Sequence, residues 1–376
     1  MGLQRGYNDM NIMLFSNIIG HTGVGWHINI LSDALVRQGH NVVVVSGTQD
    51  LEFVNDKVEF VKVDTLSNNP IKMLKTVRAI KKIIKERNID IVHCHHRRAG
   101  VYMKLYSLFN RKTPFVWTLH SANAPTNFMR RKTTFIGKRA IGVSTDVSDV
   151  IVKKLNVPAS KVSTVFNGVD DLRLSLLSAQ ERDEIRKEWG IPEDSFVIAQ
   201  HSRIHEVKNH LLVVEAVKRL TPEERKNVKV VCSGATGGRY YSRVVALAEE
   251  YGVLDNFCFV GWVDTRKILG ISDFLFLPSS YEGFPLSVVE AFMMKLPVAR
   301  SEKGGFKDQK YCLPISSTDP GDMVDIIRDA LVNGTDKYKD RIDAAYRFAK
   351  ENLTVDKMAE NTVKIYEEVC LNDGKK

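Results

Sequence analysis

The chain has 376 residues, of which 44% are hydrophobic, 9% aromatic and 26% charged. Those fractions exclude a disordered, collagen-like or coiled-coil protein, and the length predicts two or three domains, each large enough for its own core. Charge is uneven: residues 1–170 carry 24 Lys+Arg against 12 Asp+Glu, and residues 171–376 carry 30 against 33. A basic half joined to a near-neutral half predicts that the first half meets an anionic surface, either nucleic acid or a membrane leaflet.

No apolar run approaches the roughly 18 residues a membrane crossing needs. The polar start, residues 1–10, predicts no signal peptide. The five cysteines (Cys94, Cys232, Cys258, Cys312 and Cys370) are odd in number and lie mostly in apolar runs. They read as reduced thiols in a cytoplasmic protein.

Short, branched apolar runs at 11–15, 41–45, 58–63, 90–93 and 114–119 predict strands, and 141–144 and 162–166 complete a first set. Apolar residues at three- and four-residue spacing predict helices at 25–37 and 71–86. Strand–helix alternation of this kind predicts parallel sheets covered on both faces. A turn-rich stretch, Asn167-Gly168-Val169-Asp170-Asp171, interrupts the pattern, and a charged helix follows at about 179–189. Strands then resume at 195–199, 229–232, 257–260, 274–278 and 297–299, and the tail from Asp319 reads as helical throughout. The prediction is α/β: two Rossmann-like lobes with parallel sheets facing a central cleft and a hinge near residue 170. Ligands of such sheets bind beyond the carboxyl ends of strands, so the informative loops are those that follow strands.

Three loops stand out. The first strand runs into Gly20-His21-Thr22-Gly23-Val24-Gly25, where glycines let backbone N–H groups approach a phosphate at a helix N-terminus. The spacing is no dinucleotide fingerprint, because Ile28 occupies its third glycine position. The loop 200–209 follows a strand and holds Arg203 and Lys208, two cations able to bind a diphosphate and stabilise its charge as it leaves. The third, Tyr281-Glu282-Gly283-Phe284-Pro285-Leu286, follows an apolar strand, and Glu290 lies eight residues after Glu282 on the next helix. A carboxylate accepting two hydrogen bonds suits a vicinal diol such as a ribose. Cys94-His95-His96 fits no standard metal-ligand spacing, so no metal site is expected there.

Together these residues resemble retaining glycosyltransferases of the GT-B fold, specifically glycosyltransferase family four (the group 1 type). Glu282-Gly-Phe-Pro with Glu290 resembles the family's E-x-seven-E signature. Ser202-Arg203 through Lys208-Asn209 resembles its basic pair. Thr22-Gly23-Val24 followed by His27 resembles its first glycine turn, and Asn167-Gly168-Val169-Asp170 its N-G-V-D stretch. Lys303-Gly304-Gly305-Phe306-Lys307-Asp308 resembles its later G-G loop, with Asp308 in the acidic place. Departures are Thr22 and Ser202 at common glycines, Gly25 at a polar position and Lys295 at a usual glycine.

The resemblance implies an acceptor-side domain at 10–170 and a donor domain at 171–352, with a C-terminal helix at about 353–371 packing back on the first. It implies that Glu290 holds the donor's ribose, and that Arg203, Lys208 and Gly23 bind its diphosphate. Glu282 and the backbone of Gly283, Phe284, Pro285 and Leu286 would hold the donor sugar (Pro285 itself has no N–H), with His120, at a strand end, touching the sugar as well. The implied chemistry is front-face attack with retention and no obligatory metal or cofactor. UDP-linked sugars are the family default, and the acceptor is a saccharide or lipid-linked saccharide of a cell-surface polysaccharide or glycolipid. The base would be read by backbone near Gly261-Trp262-Val263.

Basic residues on the helix at 71–88, together with Phe128-Met129-Arg130-Arg131-Lys132, predict an anionic membrane surface as a partner, on the inner face of the cell membrane. Two other classes compete with this reading: a nucleotide-sugar epimerase, which needs no acceptor, and a nucleic-acid-binding protein. The second is disfavoured because no aromatic-rich sheet, recognition helix or zinc spacing appears, so nucleic acid is not expected as a partner.

Overall fold

A computed structural model describes residues 9–110 and 112–373. The polar opening residues 1–8 lie outside the described residues. The chain divides into two compact units. One comprises the residues up to Gly168 together with those from Thr354 onward, and the other Val169–Leu353.

The first unit is built on seven strands: β1 (Asn11–Phe15), β2 (Asn41–Ser46), β3 (Glu59–Lys62), β4 (Ile91–Cys94), β5 (Phe115–Leu119), β6 (Arg139–Gly142) and β7 (Val162–Thr164). All pairs are parallel, in the order β3-β2-β1-β4-β5-β6-β7. β4 and β5 are buried along their whole length, as expected of strands covered on both faces. The final helix, Val355–Asp373, belongs to this unit. Its Val355, Met358, Ile365, Tyr366 and Val369 join Ile12, Leu14, Ile28, Leu31 and Leu35 in one core. Each large side chain buried there stabilises the fold by about 1.5–3 kcal/mol.

The second unit has six parallel strands: β8 (Phe196–His201), β9 (Val228–Ser233), β10 (Phe257–Gly261), β11 (Phe274–Leu277), β12 (Val298–Ser301) and β13 (Leu313–Ile315). Their order is β10-β9-β8-β11-β12-β13. Its core gathers Ile198, Val213, Val217, Val230, Phe274, Phe276 and Ile327.

Three readings of the sequence need correction. The strand expected at 141–144 is Arg139–Gly142, because Ser144 instead caps the next helix and accepts a hydrogen bond from Val147 N at 3.2 Å. β13 has no counterpart among the expected strands: it has three residues, one of them Pro314. The tail is helical from Gly321, not Asp319, and a short 3₁₀ turn at Asp336–Tyr338 separates two of its helices.

Each sheet reverses strand order once beside its first strand, between β1 and β4 and between β8 and β11. Such reversals open a crevice past the carboxyl ends of the two strands. The side chains singled out above cluster after those strand ends.

Candidate active site

In the second unit, β8 runs into a loop that contains the 3₁₀ turn Glu206–Lys208 and leads to the helix His210–Arg219. Asn209 adopts the left-handed conformation (φ 60°), which asparagine tolerates better than most residues. Its Nδ2 donates to Pro278 O at 3.3 Å and to Ser317 O at 2.8 Å, tying the loop to the end of β11. Ser280 N donates to Val207 O at 2.8 Å. The loops after the two switch-point strands are therefore stitched together.

That stitching brings Lys208 Nζ to 2.5 Å from Glu282 Oε1, with both side chains largely buried. Burial alone would raise the Glu282 carboxyl. The Lys208 ammonium, with Ser279 and the charge of Arg300 adding, outweighs it and holds the group below its usual value. Glu282 is thus an ionised acceptor, and the ammonium keeps further N–H groups for another ligand. Arg203, on the same loop, is exposed, and its guanidinium has no hydrogen bond or ion pair among the described residues.

Glu290 sits on the helix Leu286–Met293, with Oε2 3.5 Å from His201 Nε2. That ring also pairs with Ser233 Oγ at 2.7 Å and Thr265 Oγ1 at 3.0 Å. Gly283, Phe284 and Pro285 form the buried turn that enters this helix, and Leu286 is its first residue. Amides of the helix's first turn have no partner within the helix and suit an oxygen-rich ligand.

Sequence reasoning missed what holds that turn. Arg300, fully buried on β12, donates to the carbonyls of Lys303 at 2.7 Å and Gly304 at 2.9 Å and to Gln309 Oε1. Gln309 Nε2 donates in turn to Pro285 O at 3.2 Å. Gly305 has φ +77°, and a side chain there would meet Gly283 O. Gln309, next to the Asp308 singled out from the motif, therefore ties this loop to the turn. The available signal was an arginine inside the otherwise apolar run that forms β12.

In the first unit, Thr22 caps the helix Gly23–Arg37, its Oγ1 accepting from Gly25 N at 3.1 Å. A side chain at Gly25 would lie 2.0 Å from Gly20 O, whereas nothing lies within 4 Å of one at Gly23. The departure from the family at Gly25 therefore has a steric reason, and Gly23 leaves open space for an approaching group. Gly168 is equally constrained, its missing side chain lying 2.2 Å from Thr354 O.

His120 belongs to a group of histidines past the ends of β4 and β5. His95 Nδ1 lies 3.2 Å from His120 Nε2, and His27 Nδ1 donates to Asn167 Oδ1 at 3.0 Å. His93 pairs with Tyr366 Oη and Thr118 Oγ1, both at 2.6 Å. Burial pushes His27 down to about 4, partly offset by Asn167. It takes His93 to about 3 with help from His27, and lowers His95 and His120 as well. These imidazoles are neutral at pH 7 and act as hydrogen-bond donors and acceptors without charge. Nitrogens of His27, His95 and His120 lie within 4.8 Å of one another. Cys94, by contrast, is a buried thiol on the strand with its proton held by burial. The histidine that the Cys94-His95-His96 run contributes thus meets partners far away in sequence.

Comparison with known proteins places these features. Residues 21–173 match the family described as Glycosyltransferase Family 4, and residues 181–348 the one described as Glycosyl transferases group 1. A glycosyltransferase of Methanocaldococcus jannaschii is 26% identical over 312 residues, covering 76% of this chain and 78% of that protein. An Escherichia coli protein named UDP-Gal:alpha-D-GlcNAc-diphosphoundecaprenol alpha-1,3-galactosyltransferase is 26% identical over 268 residues, covering 68% of this chain and 69% of its own. The crystal structure of Anabaena HepE in complex with UDP superimposes with a TM-score of 0.82 at 17% identity, over 96% of this chain and 100% of that one. That likeness establishes the fold as GT-B.

Proposed function

Because the chain belongs to the group 1 glycosyltransferases, with a family 4 segment in its first half, we propose that it is a retaining transferase. It moves a hexose or N-acetylhexosamine from a UDP-sugar to a saccharide or lipid-linked saccharide acceptor in cell-surface polysaccharide or glycolipid synthesis. The observation that carries this reading is the buried Lys208–Glu282 pair, 2.5 Å apart, on the two loops that flank the switch point of the second sheet. The UDP assignment is supported by the structural likeness to HepE, a protein crystallised in complex with UDP, and the acceptor class by the name of the Escherichia coli relative.

In this reading Lys208 and the unpaired Arg203 supply positive charge to the diphosphate as its bond to the sugar breaks. Such charge, fixed in advance, lowers the barrier without reorganisation. The acceptor hydroxyl attacks from the face the diphosphate leaves and passes its proton towards that leaving group, so configuration is kept. Glu290 holds the ribose, and Glu282 with the Gly283–Leu286 turn holds hydroxyls of the donor sugar. His120, neutral, contacts the sugar, and the open turn at Gly23 offers N–H groups to phosphate oxygen. Two side-chain cations suffice for the charge, so turnover survives chelation with EDTA; its abolition would remove that part of the mechanism.

A panel of UDP-, GDP- and ADP-sugars in a thermal-shift assay tests the donor. A UDP-sugar raises the Tm, and Glu290→Ala reduces the shift. An unchanged shift in that variant, or stabilisation by another nucleotide alone, overturns the assignment.

The enzyme works at the cytoplasmic face of an anionic membrane. Supporting this, Phe128 and Met129 are 65% and 66% exposed beside Arg130, Arg131 and Lys132. The helix Pro70–Glu86 buries Ile80, Ile83 and Ile84 but leaves Ile71 and Leu74 exposed among lysines. No helix among the described residues is long and apolar enough to cross a membrane. Binding to anionic but not neutral liposomes at low salt is expected, reduced by Phe128→Asp with Met129→Asp. Absence of binding to anionic liposomes ends the idea.

A further inference from the structure

Arg97 opens the helix Arg97–Ser107, directly after the switch-point strand β4 and His95-His96. Its Nε and Nη2 atoms are buried and have no hydrogen-bond partner. Its neighbour Arg98 differs, because that guanidinium donates to Ser67 O and to Asn68 Oδ1 at 2.8 Å. A half-buried guanidinium with two nitrogens shielded from water and unpaired is costly, and an anion is what restores those hydrogen bonds.

Among the described residues no carboxylate is hydrogen-bonded to Arg97 or paired with it, and no acid contributes to its electrostatics. Residues 91–145 contain ten Lys+Arg and not one Asp or Glu. Burial lowers the affinity of Arg97 for its own proton, and the charge of Arg130 adds to this. Arg130 is exposed, and its guanidinium has no partner among the described residues. The contact between the two segments is close, since a side chain at Gly100 would meet Phe135 O at 2.6 Å. The helix start adds to the positive field. His96 gives it no side-chain cap, and its first turn holds no acid, so its N–H groups are free for an anion.

The His96 and His120 rings are neutral by burial, so the positive charge here is arginine's. His96 is also already engaged, its Nδ1 lying 2.8 Å from Ser16 Oγ.

We propose that Arg97, Arg130 and the first turn of the helix Arg97–Ser107 form a binding site for a phosphate group carried by the sugar acceptor. The inference rests on the transferase reading for the word acceptor, and on this chain's own residues for the site. A phosphate has three oxygens to offer, enough to pair Arg97 Nε and Nη2 while Arg130 closes from the exposed side. The acceptor class is then narrowed from saccharides in general to those that bear a phosphate or diphosphate, whether on a soluble sugar or on a lipid carrier.

The test is calorimetric titration of the full chain with three probes: inorganic phosphate, glucose 1-phosphate and geranyl diphosphate. UDP is present throughout to occupy the donor site, and its own binding is measured first. Arg97→Gln and Arg130→Gln are each expected to weaken binding of the tightest probe at least tenfold. Arg97→Lys recovers part of the loss, and Arg98→Gln keeps wild-type affinity. Should Arg97→Gln fold poorly, Arg130→Gln, at an exposed position, carries the test by itself. Tighter binding of geranyl diphosphate supports the site and assigns it to a lipid carrier, whereas tighter binding of glucose 1-phosphate supports it and assigns it to a soluble phosphosugar. Wild-type affinity in both arginine-to-glutamine variants, or no binding of any probe to the wild type, overturns the proposal. Failure of UDP to bind while anion affinity still tracks Arg97 removes the transferase reading and leaves the anion site standing.

Discussion

At the ends of β8 and β11 a buried carboxylate is kept ionised by an ammonium 2.5 Å away, whereas around the ends of β4 and β5 burial keeps four histidines (one on β4, one on the first helix, two past the strand ends) neutral. Each unit has its own parallel sheet with a single reversal of strand order, yet the two treat charge in opposite ways. The second unit pairs its buried charge and keeps Arg203 unpaired beside it. The first withholds charge from its buried ring cluster and leaves it to arginines at the margin. The same fold therefore supplies one buried cluster that carries paired charge and one that is neutral. The difference lies in which side chains follow the strand ends, since the strands themselves are alike.

Breaking the ion pair has the largest expected effect. Lys208→Ala leaves Glu282 buried without its counter-charge, which costs about 3–5 kcal/mol, and turnover falls about 10²–10³-fold. Adding Glu282→Gln restores the Tm while turnover stays low. If the double variant melts as low as Lys208→Ala, the pair is not what stabilises this region. Arg203→Ala sharpens the point, because this side chain has no partner to lose. Its Tm is unchanged, and turnover slows by about 10–100-fold. Near-native turnover in that variant removes Arg203 from the mechanism.

Lowering the pH probes the other region. His27 and His93 bind protons in the unfolded chain below about pH 6.5 but resist them in the fold down to about 4 and about 3. Between those limits the unfolded state binds more protons, so stability is full above pH 6.5 and falls as pH drops. The loss is at most about 1.4 kcal/mol per pH unit for each ring. Thermal melts from pH 7.5 to 4.5 measure this, and a flat profile would show that the rings are not held neutral by the fold.

The smallest effect is expected at Lys295, which has φ +53° just after the helix Leu286–Met293. Glycine adopts that conformation without strain. Lys295→Gly gains from this but loses an ion pair with Asp343 at 3.8 Å and a contact with the Tyr346 ring. The net expectation is a rise in Tm of about 2 °C or less, and a fall means the side-chain contacts dominate.

Much of the second unit's site could be read in advance because its parts are local. Arg203 and Lys208 share one loop, and Glu282 and Glu290 share another with the helix it enters. Strand-end position then told which loops mattered, and the apolar runs told where strands end. What escaped was assembled across distance. Arg300 reaches Gln309 and Gln309 reaches Pro285, a relay whose members look ordinary one by one. His27, His95 and His120 come from a helix and the ends of two strands, with no spacing that betrays their meeting. β13 escaped for a different reason: three residues with a proline carry too little pattern to distinguish a strand from a loop.

The last helix, Val355–Asp373, has a consequence for how the polypeptide comes to be. Tyr366 reaches His93, and Val355 and Met358 fill a core begun some 340 residues earlier at Ile12 and Leu14. A nascent polypeptide emerging amino end first can finish its middle portion while its opening portion still lacks a wall. During synthesis at about 5–20 residues per second, that opening portion waits roughly 10–40 seconds with apolar surface uncovered. Ribosome-bound chains stopped before residue 355 should therefore be the ones that chaperones hold longest.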